Sequence, residues 1–236
     1  MNMETFEAVR ENLAPQIDWS HMGCRDHFVQ FYESDSFLAD SISGFIGTGF
    51  RLNEVAIVIA TPEHRSALDA RLQEQGFEPA ALRASSQYIT LDAAETLATF
   101  MVRGMPDRDL FDLSVGCLVR KATRDGRKLR AFGEMVALLW KDGNQAAAIR
   151  LEELWNELAR TSQFSLFCAY PLDAFHGEQN GISLMEVCSQ HSHVIPAESY
   201  ANQKNQRIAC EALRCCSRRP LRWRLKLPNE SALNPP

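Results

Sequence analysis

The sequence has no glycine-rich phosphate cradle. Its 12 glycines never fall into GxGxxG or into the GxxxxGK[ST] pattern, so dinucleotide binding and P-loop phosphate chemistry both lack their signature. Long apolar runs are missing too: the longest, 55–60 and 135–140, fall far short of the roughly 20 residues that span a bilayer. The first ten residues carry Glu4 and Glu7 and no apolar stretch, so a secretory leader is not expected. Seven cysteines, odd in number and irregular in spacing, exclude a disulfide scaffold and fit reduced thiols in a cytoplasmic protein. There is no GxSxG elbow, no internal repeat and no low-complexity segment.

What remains is an ordinary globular composition. Of 236 residues, 45% are hydrophobic and 23% charged, enough to bury a large core without staples. The net charge of -5 hides an asymmetry. From Ala201 onward eight basic residues face only Glu211 and Glu230, leaving a markedly acidic body. Phosphate contacts supply most non-specific nucleic-acid affinity, so direct nucleic-acid binding by that body is not expected. The division read from the pattern is a polar lead over 1–24, a folded domain over 25–200, and a basic, cysteine-containing tail over 201–236 with poor ordering.

Within the domain, strand and helix patterns alternate. The stretch 27–31 is β-compatible, and Glu33-Ser34-Asp35-Ser36 supplies turn and N-cap chemistry for a helix carrying Phe37, Leu38, Ile42, Phe45 and Ile46. Residues 55–60 form a continuous β-branched run, as in a strand covered on both faces. Thr61 and Pro62 open the next helix. Further strands are expected at 88–91, 128–132 and 165–170. Helices are expected from Asp92 through Met101, over 107–123, over 134–140, after Asn144, and over 182–189. This alternation implies a three-layer α/β/α fold with a mostly parallel sheet.

Several residues could carry chemistry. The first strand-to-helix junction, Tyr32 to Ser36, lies where open α/β sheets bind ligands, but it holds two carboxylates and neither glycine nor lysine. Ser34 and Asp35 equally suit helix capping. Glu134, just past the 128–132 strand, could orient a ligand, act as a base, pair with Arg130 or cap the following helix. Leu151, Leu154, Trp155 and Leu158 make a core stripe, with Glu152, Glu153 and Glu157 expected mostly on the solvated side. Trp140 suits a pocket wall. Cys188 and His191 stand at i, i+3 without a third metal ligand, and Cys168 reads as core. Cys210, Cys215 and Cys216 lie in the tail. No metal and no cofactor are expected.

Taken in order, His27-Phe28-Val29-Gln30-Phe31-Tyr32, the run from Val55 to Pro62 with His64, Leu91-Asp92-Ala93, Phe132-Gly133-Glu134-Met135-Val136, Leu151-Glu152-Glu153-Leu154-Trp155-Asn156, Cys168-Ala169-Tyr170-Pro171, and Cys188 through His191 to Pro196 resemble the MEDS sensory domain over about residues 26–200. The resemblance implies a signal-input domain with a fold similar to RecA/KaiC-type ATPases but a degenerate P-loop. It also implies sensing of small molecules, proposed to be hydrocarbon derivatives, and coupling to DNA-binding, PAS or histidine-kinase modules. Only some 36 residues follow Tyr200, too few for such an output module. The expectation is therefore a cytoplasmic, non-catalytic sensor of a small organic effector, working with a separate histidine kinase or transcription regulator and compatible with homo-oligomers. The effector would sit against Tyr32, Glu33, Glu134 and Trp140, with His27 nearby. The alternatives are a protein-interaction scaffold and a degenerate nucleotide-binding enzyme using Glu134.

Overall fold

A computed structural model describes residues 17–175 and 180–201. The lead up to residue 16 and the tail beyond 201, with Cys210, Cys215 and Cys216, lie outside the described residues. In chain order the elements are β1 (His27–Tyr32), α1 (Asp35–Arg51), β2 (Val55–Ala60), α2 (Pro62–Glu74), α3 (Pro79–Ala84), β3 (Tyr88–Asp92), α4 (Ala93–Ala98), β4 (Met101–Val102), β5 (Met105–Pro106) and α5 (Arg108–Phe111). A π-helical turn at Asp112–Gly116 leads into α6 (Cys117–Ala122), then β6 (Leu129–Gly133), α7 (Met135–Lys141), α8 (Gln145–Thr161), β7 (Phe164–Pro171), α9 (Asn180–Gln190), β8 (His193–Ile195) and α10 (Glu198–Ala201).

Six strands form one sheet in the order β3-β2-β6-β7-β1-β8, and every neighbouring pair is parallel. Helices cover both faces, giving the expected three-layer α/β/α fold. On one face Phe28, Val58, Phe132 and Phe167 pack against α1 and α2 through Leu38, Phe45, Ile46 and Leu68. On the other, Val29, Ile57, Ala131, Leu166 and Tyr170 meet α4 to α9 through Val136, Leu151, Trp155 and Val187. β1, β2 and β6 are buried along their whole length, which is why 55–60 carries no polar alternation.

Local signals explain most element boundaries. Ser34, Thr61 and Asn144 each accept a backbone N–H at their helix start, relieving donors that the helix itself cannot satisfy. Between β3 and β6 the expected long helices break up. Arg103 and Gly104 both take positive φ, 50° and 82°, and turn β4 back onto β5, the geometry of a tight hairpin.

The packed body also reaches ahead of residue 25. Trp19 is buried, its ring edge-on to Phe28 (5.4 Å) and Phe45 (5.3 Å), and its carbonyl accepts from Arg130 Nη2 at 3.0 Å. Arg130 does not reach Glu134. It points to the amino edge of the sheet, donating Nε to Glu54 (2.5 Å) and Nη1 to the Phe45 carbonyl (2.8 Å). A cation with every donor arm answered is the one form in which burial is tolerated. α1 passes close over it: a Cβ on Gly49 would lie 2.8 Å from Arg130 Cδ and 2.9 Å from its Nε. Gly49→Ala, which in an open helix gains about 1 kcal/mol, should here lose on the order of 1–3 kcal/mol by overpacking. Urea unfolding checks the sign.

Candidate functional site

At the carboxyl edge the chain leaves β2 towards β3 and leaves β6 towards β7 on the opposite side. That divergence marks the position at which open α/β sheets place ligands. Glu134 sits at that position, 4% exposed, immediately after β6. It makes no cap for α7; its Oε2 instead accepts the Thr61 N–H (2.9 Å) and its Oε1 faces His64 Nδ1 at 2.7 Å. The carboxylate thus lies at the N-terminus of α2, where partial positive charge favours it. His64 Nε2 reaches Asp35 Oδ1 on the first turn of α1 at 3.3 Å.

An imidazole between two carboxylates holds its proton. The hydrogen bond to Glu134, opposed in part by burial, raises His64 to about 9. The Tyr32 ring stands edge-on to His64 at 6.3 Å, and burial with the nearby Glu134 charge pushes its phenol up, so the hydroxyl stays a donor.

The other expected site residues are placed differently. Glu33 is at the same edge but faces β8 and α10: its N–H donates to Glu198 Oε2 (2.9 Å) and its Oε1 accepts from Ser199 Oγ (2.5 Å). Trp140 lies in the opposite helix layer, against Tyr170 (5.5 Å) and Phe175 (4.7 Å), with Nε1 donating to the Ala174 carbonyl. His27 begins β1 and so is roughly 16 Å along the strand from Tyr32, at the amino edge. The structure brings Tyr32 and Glu134 together, sets Glu33 beside them, and separates Trp140 and His27.

His27 belongs to a second constellation that the sequence reading missed. With Glu152, Cys168 and His191 it forms a buried group whose ligand-type atoms all lie within 4.8 Å of one another. Glu152, expected on the solvated side of α8, is 0% exposed. It accepts from Tyr170 Oη at 2.8 Å. The spacing carried a signal: Ala148, Glu152 and Trp155 stand at i, i+4, i+7 on one helix face, and the structure buries all three. Burial works to raise the Glu152 carboxyl, but His191 and His27 overrule it and hold it well below its usual range. Burial, and then the Glu152 charge, pushes the Cys168 thiol up. Cys188, offered by spacing as the partner of His191, is not in this group.

Residues 26–192 match the family model described as "MEDS: MEthanogen/methylotroph, DcmR Sensory domain". The chain belongs to the MEDS family. A sensory role follows for it, and the resemblance carried by the ordered segments is confirmed over nearly the whole described body. A comparison with curated proteins finds no match. Among the described residues of this MEDS domain, no helix is long and apolar enough to cross a membrane.

The His64 bridge has a pH signature. Its ring is raised from 6.5 to about 9 on folding, so its contribution is complete below pH 6.5 and is lost as the pH rises through 9. His64→Gln should destabilise the protein by on the order of 1 kcal/mol at neutral pH, allowing for solvent screening. The difference from wild type should vanish by about pH 10, as read by thermal unfolding across a pH series.

Proposed function

We propose that the chain is a non-catalytic signal-input domain of a bacterial or archaeal signalling system. It binds a small, uncharged organic molecule at the carboxyl edge of its sheet and hands the change to a histidine kinase or transcription regulator. The observation that carries this reading is Gln30. It lies on β1, two residues deeper than Tyr32 and on the same face of the strand, is 0% exposed, and neither end of its amide meets a hydrogen-bond partner among the described residues. A buried, unanswered amide costs about 1–3 kcal/mol. A ligand that offers it a donor or acceptor recovers that cost, and no apolar isostere could.

The charge of the mouth supports an effector without phosphates. Tyr32 to Ser36 contains no glycine, and Ser34 Oγ already accepts the Phe37 N–H at the start of α1 (3.4 Å). Glu134 fills the start of α2 in the same way. The N-termini of α1 and α2, where an anion could be received, are therefore each met by a protein oxygen, with Glu33 and Asp35 adding negative charge. Both oxygens of Glu134 are engaged, by Thr61 and His64, which favours a positioning role over that of a free base. A second reading, an interaction scaffold, draws on the exposed side chains of Val102, Met105, Leu110 and Leu113 in the β3–β6 connection.

A thermal-shift screen of small alcohols, amides and ketones tests the first reading. A stabilising compound is expected, its effect lost in Gln30→Leu although that variant alone is at least as stable as wild type, by about 1 kcal/mol. Magnesium ATP should give no binding heat. A stabiliser that acts equally on Gln30→Leu and Glu134→Gln, or silence across a broad library, sinks the reading.

A further inference from the structure

We propose that His27, Glu152, Cys168 and His191 form a closed, four-coordinate site for a divalent transition metal of the zinc class, buried between β1, β7, α8 and the end of α9. The distances point to it first. His27 Nε2 to Glu152 Oε2, His27 Nε2 to Cys168 Sγ, and Cys168 Sγ to Glu152 Oε2 are all 3.4 Å, an equilateral triangle. Ligands about 2.1 Å from a tetrahedral metal are separated by about 3.4 Å, so these three atoms form one face of such a tetrahedron. His191 Nε2 lies 3.4 Å from the other oxygen of Glu152, Oε1, and the ligand-type atoms of all four residues lie within 4.8 Å of one another, which makes His191 the fourth donor. Charge-assisted hydrogen bonds between nitrogen and carboxylate close to about 2.7–2.9 Å; both histidine–Glu152 contacts are held well outside that.

The orientation of the rings is the second observation. His191 Nδ1 lies 2.7 Å from the Val187 carbonyl and must donate to it. Its Nε2 is fully buried, faces the cluster and has no hydrogen-bond partner. Asn156 Nδ2 donates to the Gln190 carbonyl (2.9 Å), which turns its Oδ1 to accept from His27 Nδ1 (3.0 Å). Both rings are thereby locked with Nε2 lone pairs turned inward, and Tyr170 Oη fixes the carboxylate from outside at 2.8 Å. Ligating histidines and carboxylates are held by outer partners of this kind. A dication with one thiolate, one carboxylate and two neutral imidazoles leaves no net charge in a site without solvent. As the metal–sulfur bond forms, the Cys168 proton is released to water. With four protein donors the sphere is closed, the mark of a stabilising rather than a reacting metal.

The test uses the full chain, expressed in zinc-supplemented medium and analysed by inductively coupled plasma mass spectrometry. About one equivalent of metal per chain is expected. Cobalt(II) replacing it should show thiolate charge-transfer absorption and tetrahedral ligand-field bands. Cys168→Ser should lose the charge-transfer band, and His191→Gln should lose most of the metal. Asn156→Ala, which frees His27 without removing a ligand, should weaken binding about ten- to a hundredfold. If the ligand variants fail to fold, metal K-edge absorption of the wild type decides: one sulfur with nitrogen and oxygen neighbours supports the site, several sulfurs overturn it. A natively folded chain that takes up neither zinc nor cobalt also overturns it. So does metal content unchanged in Cys168→Ser and His191→Gln, which would place the ion on cysteines elsewhere.

Discussion

A carboxylate with no access to water, in the middle of the longest helix of the second layer, constrains everything around it. Glu152 has to be answered from outside α8, because its own helix offers only backbone that is already bonded. The answers come from His27 and from Cys168 and Tyr170 on paired strands, and from His191 at the end of α9. These residues are far apart in sequence, so the interaction exists only once β1 has paired with β7 and α8 and α9 have docked. Burying the charge is costly; its presence therefore selects one register of β1 on β7 and one rotation of α8. An apolar residue there would pack as well with less discrimination among alternatives.

The two ends of the sheet divide the labour. At the amino edge, Arg130 with Glu54 and the His27–Glu152 group fix how strands and helices come together, and their polar atoms are turned inward. At the carboxyl edge, Tyr32, His64 and Glu134 gather where β2 and β6 diverge, and Asp35 is 78% exposed at its side chain. Rigid anchoring at one end and a charged edge with an exposed Asp35 at the other suit a sensory domain that responds without unfolding its frame. Membership of the MEDS family places this chain among sensory domains, and the same division accounts physically for how such a fold can respond locally.

How much of this was legible in the sequence depends on the range of the interaction. The run at 55–60, the caps Ser34, Thr61 and Asn144, and the stripe Leu151, Leu154, Trp155 and Leu158 are local signals, and the elements they announce are present. The π turn at Asp112–Gly116 was missed because helical periodicity continues through it, and the β4–β5 hairpin because two-residue strands in the break between the expected helices are too short to show alternation. Glu134 was legible as an acid at a strand end, but its partners Thr61 and His64 follow a different strand. Glu152 was misjudged because a charge invites a solvated reading even on a face shared with Ala148 and Trp155. Cys168 and His27 were separated for a simpler reason: nothing local states that β1 lies beside β7.

The contact of Glu33 with Glu198 and Ser199 carries a mechanical consequence. β8 pairs with β1 only at Phe28, Val29 and Gln30, so beyond Gln30 this flank of β1 is tethered to the last described helix chiefly by one carboxylate and one hydroxyl. Gln30 is at once the final rung shared with β8 and the side chain that lies beneath the mouth. A displacement of β1 there would bear on the two contacts of Glu33 with α10. Whatever shifts Gln30 therefore acts directly on the last backbone pairing between β1 and β8.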